Sequence, residues 1–236
     1  MANSNDWLYV SSCAHIGENN ARLDLFKQSL KKAKELRAGI CLIGDLLDVG
    51  VHVGTAHAGS VYENSLNPDE QLDMAVEILE PYKDNIEIIL PGNHEDRVRK
   101  AVGLKLNKQV AVGLGKRNVY RDTYEVIRYG GKNIFLAHGA SPSDFNKVLL
   151  GHENIDIIAL GHMHELSNKQ HSRILYGGIG HAPQSRNIEL IRCGTYLDQP
   201  RYGKMQLYPP NRLGGAWINI QADGEIFVDL GIKPRK

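Results

Sequence analysis

Five of the ten histidines in the 236-residue chain, His15, His94, His138, His162 and His164, stand just beyond short apolar runs. Cys13, Asp45 and Asn93 stand at the same run ends. Imidazole, carboxylate and amide oxygen together suit a borderline divalent or trivalent ion such as Zn, Mn or Fe. A single tetrahedral site would use only four donors, and this set exceeds that. Two ions about 3.5–4 Å apart, bridged by one carboxylate, account for the surplus. The densest stretch is IEIILPGNHED, Ile86 to Asp96, where an apolar β-branched run stops at Pro91-Gly92 and Asn93, His94 and Glu95 follow at once. Polar groups at the carboxyl end of a strand form the usual geometry of an α/β active site. Taken alone, that stretch also reads as an ordinary polar loop after a strand; five such run ends in order are strong evidence.

The elements that must position these groups follow from local pattern. Trp7 to Val10, Ile40 to Ile43, Ile86 to Leu90 and Ile155 to Leu160 are apolar enough for buried strands. Tyr124 to Arg128 and Asn133 to Ala137 form a hairpin joined through Gly130-Gly131. Residues 21 to 38 carry Leu23, Phe26, Leu30, Ala33 and Leu36 near a helical period, with lysines opposite, and Gly39 is positioned as a C-terminal helix stop. Asn67-Pro68-Asp69-Glu70 is a helix start, with Asn as N-cap, Pro at N1 and acids in the first turn; that helix runs to about Glu80 and turns at Pro81. Gly50 to Ser60 is a glycine-rich loop holding His52 and His57. From about residue 173 the chain becomes β-rich with no further helix signal: Ile174 to Tyr176, Ile188 to Arg192, Ala216 to Gln221 and Glu225 to Leu230 are strand candidates, and Gly194 to Pro210 reads as an ordered, irregular loop. With no repeat and no linker, residues 1–236 are expected to form one domain.

Bulk properties exclude several classes. Twenty-eight basic against 27 acidic residues leave a net charge of +1, which names no partner, and 42% apolar residues suffice for a core. The opening MANSNDWLYV lacks the basic and apolar regions of a secretory signal, and no apolar run reaches the roughly 18 residues of a membrane span. Three widely spaced cysteines, Cys13, Cys41 and Cys193, argue against a disulfide framework. A cytosolic (cytoplasmic) protein is expected, with no membrane partner. Cys41, inside an apolar strand, is expected to be core.

Cys13-Ala14-His15, Gly44-Asp45-Leu46-Leu47-Asp48, Gly92-Asn93-His94-Glu95, His138-Gly139 and Gly161-His162-Met163-His164, in that order, resemble the motifs of the calcineurin-like metallophosphoesterases. The resemblance covers residue 7 to about 166. It implies an α/β fold, a four-layer α/β/β/α sandwich of two mixed sheets, and a hydrolase with two metal ions, Mn, Fe or Zn. It implies that His15, Asp45 and His164 hold one metal, that Asp45, Asn93, His138 and His162 hold the other, and that Asp45 bridges them. It gives proton donation to His94, with Asp48 as its carboxylate partner; Glu95 is expected to fix the loop. The one departure is Cys13, where the family has aspartate. Three readings stay open there: a thiolate metal ligand, a small buried thiol, or a weakened first site.

The substrate is expected to be a phosphate ester, most directly a phosphodiester of nucleic acid or a nucleotide. Residues 97 to 121 hold eight basic residues and no acid, beginning with Arg97, Arg99 and Lys100 beside the His94 loop. They read either as a solvated face or as a surface that binds the phosphates of DNA or RNA, with those three as substrate-binding residues. Tyr196, Tyr202 and Tyr208 could contact a substrate or simply pack. Against the protein-phosphatase branch, Val49 follows Asp48 where those enzymes are expected to have a phosphate-gripping Arg. The alternatives are a phosphomonoesterase for a protein or small molecule, and a metal-binding scaffold whose activity Cys13 has weakened.

Overall fold

The structure is a computed structural model that describes residues 6–50, 65–175, 184–199 and 209–235, together with Ala182, Lys204, Met205 and Leu207. His52, His57, Tyr176, Tyr202 and Tyr208 lie outside the described residues, as does the expected loop beyond Gly50. The first part of the chain gives β1 (Asp6–Ser11), α1 (Leu23–Glu35), β2 (Gly39–Ile43), α2 (Pro68–Leu79), β3 (Ile86–Leu90), α3 (Asn93–Val102) and α4 (Leu106–Gly113). Next come β4 (Glu125–Tyr129), β5 (Lys132–Ala137), α5 (Asp144–Gly151), β6 (Ile157–Leu160), β7 (Leu166–Leu175) and β8 (Gln184–Cys193). Two more strands, β9 (Gly215–Ile220) and β10 (Ile226–Gly231), follow.

These strands make two mixed sheets, ordered β10-β9-β1-β2-β3 and β4-β5-β6-β8-β7. β1, β2 and β3 run parallel, as do β5, β6 and β8, and the outer pairs are antiparallel. Between the sheets Leu8, Val10, Cys41, Ile43, Ile88 and Leu90 meet Ile134, Leu136, Ile157, Ala159, Ile191 and Cys193, so Cys41 is core as expected. The outer face of the first sheet packs Tyr9, Ile40, Leu42 and Ile89 against Phe26 and Leu30 of α1, Ala75 and Leu79 of α2 and Val110 of α4. The outer face of the second holds Phe135, Ile158 and Leu160 beneath Val148 and Leu149 of α5. Burial on both faces explains why the central strands read as continuous apolar runs. The result is the four-layer α/β/β/α arrangement that the resemblance implied.

Local chemistry sets the element ends. Asn67 Oδ1 accepts from the Asp69 and Glu70 amides at 3.0 Å and Glu70 reaches back to the Asn67 amide at 2.8 Å, a complete capping box. α2 then passes through a 3-10 turn, Glu80–Asn85, into β3. Gly39 is not the stop of α1: Arg37 takes the left-handed turn (φ 54°), the Ala38 amide returns to Ala33 O at 2.9 Å, and Gly39 begins β2. There a Cβ would meet Leu8 and Tyr129 atoms at 3.0 and 3.1 Å, so close inter-sheet packing explains that glycine.

Other elements had no strong sequence signal. The basic stretch 97 to 121 contains most of α3 and all of α4. β7 is a ten-residue strand, not a short one from Ile174; it pairs with β8 alone, and residues 168–172 of its polar SNKQHSR run are exposed. Lys204 and Met205 are helical, within the stretch expected to be irregular.

Candidate metal centre

The carboxyl ends of β1, β2, β3, β5 and β6 point their loops to one place. The loops after β1 and β2 are joined by amide bonds from Cys13 to Gly44 O (3.0 Å), His15 to Asp45 O (3.1 Å) and Ile16 to Leu46 O (2.9 Å). Glu95, at the start of α3, is buried and accepts from three amides, Asp45 at 3.2 Å, Leu47 at 2.9 Å and Gly92 at 2.7 Å. It therefore ties the β2 loop to the β3 loop, as expected of a loop-fixing carboxylate. Burial and the neighbouring Asp45 charge raise its pKa. Gly92 is required because a Cβ there would overlap the Asp45 carboxylate.

Five chemistry-bearing residues take positive φ: Cys13 (55°), His15 (49°), Asp45 (49°), His162 (67°) and His164 (54°). An L-residue in that region costs on the order of 1–2 kcal/mol, and such backbone clusters where structure serves function. Backbone hydrogen bonds hold three of them, Cys13, His15 and Asp45. The Cys13 carbonyl accepts from the Tyr196 amide at 2.9 Å and from Thr195 Oγ1 at 3.0 Å. Tyr196 is fully buried, with its hydroxyl between Tyr9 and Ser29 Oγ (2.6 Å from the latter), so it packs and does not contact substrate. Thr195 and Tyr196 act as a brace that nothing in their local sequence announces.

The donor set fits metal ions by its hydrogen-bond logic. His138 Nδ1 lies 2.9 Å from Ile43 O, a group that only accepts, so Nδ1 carries the hydrogen. In the neutral ring Nε2 is then a bare lone pair, yet it faces Asn93 Oδ1 at 3.0 Å and Asp45 Oδ2 at 3.1 Å. Only a cation or a second proton reconciles three acceptors; burial opposes that proton, but the Asp45 charge and hydrogen bond prevail and raise the His138 pKa. His162 Nδ1 completes this side, 2.8 Å from Asn93 Oδ1. On the other side Asp48 Oδ1 lies 2.7 Å from His15 Nδ1, which leaves His15 Nε2 as a lone pair 3.1 Å from His164 Nε2. Burial, with His15 close by, depresses His164 to about 3, and burial and His138 depress His162, so both rings stay neutral donors. Asp45 is driven down: its burial works the other way, but His138 and the neighbouring histidines outweigh it. The donor atoms of Cys13, His15 and His164 lie within 4.8 Å of one another, as do those of Cys13, Asp45 and His138, and those of His15, Asp45 and His94.

His94 sits at the rim with its Nδ1 3.0 Å from Asp48 O and 3.1 Å from Asp48 Oδ1. Burial pushes its pKa down, but the bond to Asp48 and the charges of Asp45 and Asp48 lift it to about 9, so the ring has a proton to give at neutral pH. Asp48 thus serves His15 as well as the expected His94; burial raises its pKa, but the bonds to both rings win and hold it below the usual carboxylate range. Of the three expected substrate contacts the structure brings one to the site. Arg97 lays its two terminal nitrogens 3.3 Å from the ring nitrogens of His94 and has no carboxylate partner among the described residues. Arg99 and Lys100 instead pair with Asp96 at 2.5 and 2.8 Å, while Lys105 and Arg121 pair with Asp122 and Glu125.

A family model described as calcineurin-like phosphoesterase matches residues 7–186. Among solved structures, a Staphylococcus aureus protein assigned as a 5′-nucleotidase aligns at 12% identity with TM-score 0.52, over 98% of this chain and 54% of that one. An archaeal phosphodiesterase aligns at 12% identity and TM-score 0.48 (95% and 99% covered). A phosphoesterase from E. coli aligns at 14% and 0.46 (94% and 96%). No curated protein matches the chain.

Proposed function

The chain belongs to the calcineurin-like phosphoesterase family, and from that premise we propose that it hydrolyses phosphodiesters of nucleotides or nucleic acid with a pair of metal ions. The observation that carries the reading is the convergence of these donors on one place, where His138 Nε2 faces two oxygens and His15 Nε2 faces His164, with a proton-bearing imidazole at its edge. His15, Asp45 and His164 would hold one ion, and Asp45, Asn93, His138 and His162 the other, with Asp45 common to both. When bound, such ions lower the pKa of a water enough to supply hydroxide near neutral pH and neutralise phosphoryl charge.

The chain's own residues do the rest. His94 gives the Nε2 proton to the oxygen that leaves, while Asp48 holds Nδ1; general-acid help of this kind is worth about 10²–10⁴-fold. The Arg97 guanidinium can grip a phosphoryl oxygen beside that ring. Val49 is fully buried and places no cation at the next position, so Arg97 is the guanidinium available at His94 among the described residues. β9 and β10 complete the sheet that β1 begins, which supports reading residues 1–236 as one domain.

The test is turnover of bis-p-nitrophenyl phosphate against p-nitrophenyl phosphate across Mn, Ni, Zn, Mg and Fe. Diester preference is expected; monoester preference would move the reading to a phosphomonoesterase, and no turnover with any metal to a scaffold. For nucleic acid, single-stranded, duplex and nicked DNA should be cut, with binding that weakens as salt rises; absence of both would discard that substrate.

A further inference from the structure

The donor set departs from an all-nitrogen-and-oxygen centre at one atom, Cys13 Sγ. Cys13 is completely buried, and its sulfur is within 4.8 Å of the donor atoms of both His15 and His164 and, in a second grouping, of both Asp45 and His138. It therefore belongs to each half of the centre, a position otherwise held by Asp45. The backbone leaves it little freedom: its amide donates to Gly44 O at 3.0 Å and its carbonyl takes both the Tyr196 amide and the Thr195 hydroxyl. Ser12 Oγ, which also lies 3.4 Å from Ile43 O, is 3.0 Å from the sulfur, and its hydroxyl can turn to donate to a thiolate. The other two cysteines contrast with it. Cys41 and Cys193 lie in the apolar layer between the sheets and join no donor group among the described residues.

We propose that Cys13 is a thiolate ligand placed between the two metal positions, and that it makes the centre thiophilic, taking Zn²⁺, Fe²⁺ or Co²⁺ in preference to Mn²⁺ or Mg²⁺. This rests on the reading that the histidine, asparagine and Asp45 donors hold metal. Thiolate is a soft donor that selects Zn and Fe, whereas carboxylate suits Mg and Mn. On binding, the S–H bond breaks, its proton leaves to solvent and a sulfur–metal bond forms, with no change in oxidation state. The Ser12 hydroxyl keeps the sulfur's second side hydrogen-bonded, which is the kind of outer partner that orients a ligand.

The experiment is an anaerobic Co²⁺ titration of the full chain, stripped of metal beforehand, read by the near-ultraviolet sulfur-to-cobalt charge-transfer band and by bound-metal analysis. Wild type and Cys41→Ser should show the band; Cys13→Ser should lose it. Cys13→Asp, which restores a carboxylate and guards against misfolding, should bind Co²⁺ without the band and shift its preference from Zn²⁺ toward Mn²⁺ in competition. Wild type that binds Co²⁺ without the band, or a band that survives in Cys13→Ser, overturns the thiolate and leaves the metal centre standing. Wild type that binds no Co²⁺ overturns both.

Discussion

At the scale of single residues, the centre assigns each histidine its state through what the other ring nitrogen touches. His138 and His15 have Nδ1 committed to Ile43 O and Asp48 Oδ1, and each turns Nε2 inward. His94 has the same kind of anchor but keeps its proton, because two carboxylates surround it and lift it to about 9. Its ordinary value is about 6.5, so the protonated form is favoured by the fold. That stabilisation is fully present below about pH 6.5 and fades as pH rises through about 9. Two outcomes follow for steady-state kinetics. His94→Asn should lower kcat by about 10²–10⁴-fold with metal content unchanged, measured on the same preparation; lost metal would make His94 a ligand instead. Asp48→Asn removes the charge that holds the proton on His94, so the alkaline limb of the kcat profile should move to lower pH. Because Asp48 also orients His15, metal affinity should fall in the same variant by about 10–100-fold.

At the scale of elements, the site is made by loops that strands deliver and carboxylates fasten. Glu95 is the clearest case, one side chain accepting from amides of two loops. Glu95→Gln keeps the size but offers one acceptor oxygen instead of two, so the Asp45 loop should loosen. The expected result is a 10–100-fold weaker hold on metal, measured by chelator competition, with the fold retained by circular dichroism. Glu95 was legible as a loop-fixing group from its place in Gly92-Asn93-His94-Glu95, whereas its three partners were not. The helices that follow it show the opposite. α3 and α4 lie in a stretch dominated by charge, and the acids that balance it, Asp96 and Asp122, stand just outside the segment that looked uniformly basic. A window drawn on charge sign hid ion pairs made across its edges. β7 differs for another reason, since its exposed SNKQHSR run carries no apolar alternation to mark a strand.

At the scale of the whole molecule, two sheets bring five strand ends together, and the chain's last third closes the arrangement. Thr195 binds the Cys13 carbonyl across 182 positions of sequence, and β9 pairs with β1. Residues with positive φ and the oxygens crowded on His138 Nε2 oppose folding locally, and a bound cation would relieve the second of these. Metal should therefore raise thermal stability: a ligand at a hundred times its dissociation constant adds about 2.7 kcal/mol. Chelation is expected to lower Tm in a scanning calorimeter, and re-addition of Zn²⁺ to restore it; a Tm indifferent to both would argue against ions in this centre.

The sequence by itself determined which groups could meet and what they could do. Apolar runs that end in Cys13, His15, Asp45, Asn93, His138, His162 and His164 are local features, and the order of the motifs carried the family and the four-layer fold. Only the tertiary structure decided how those groups are used. That Asp48 serves two histidines, that Arg97 reaches His94 while Arg99 and Lys100 turn to Asp96, and that Cys13 lies between both donor groups are facts of distance between segments far apart in the chain. Residue type and spacing encode what a side chain can donate or accept; only the packing of two sheets fixes which partner it finds.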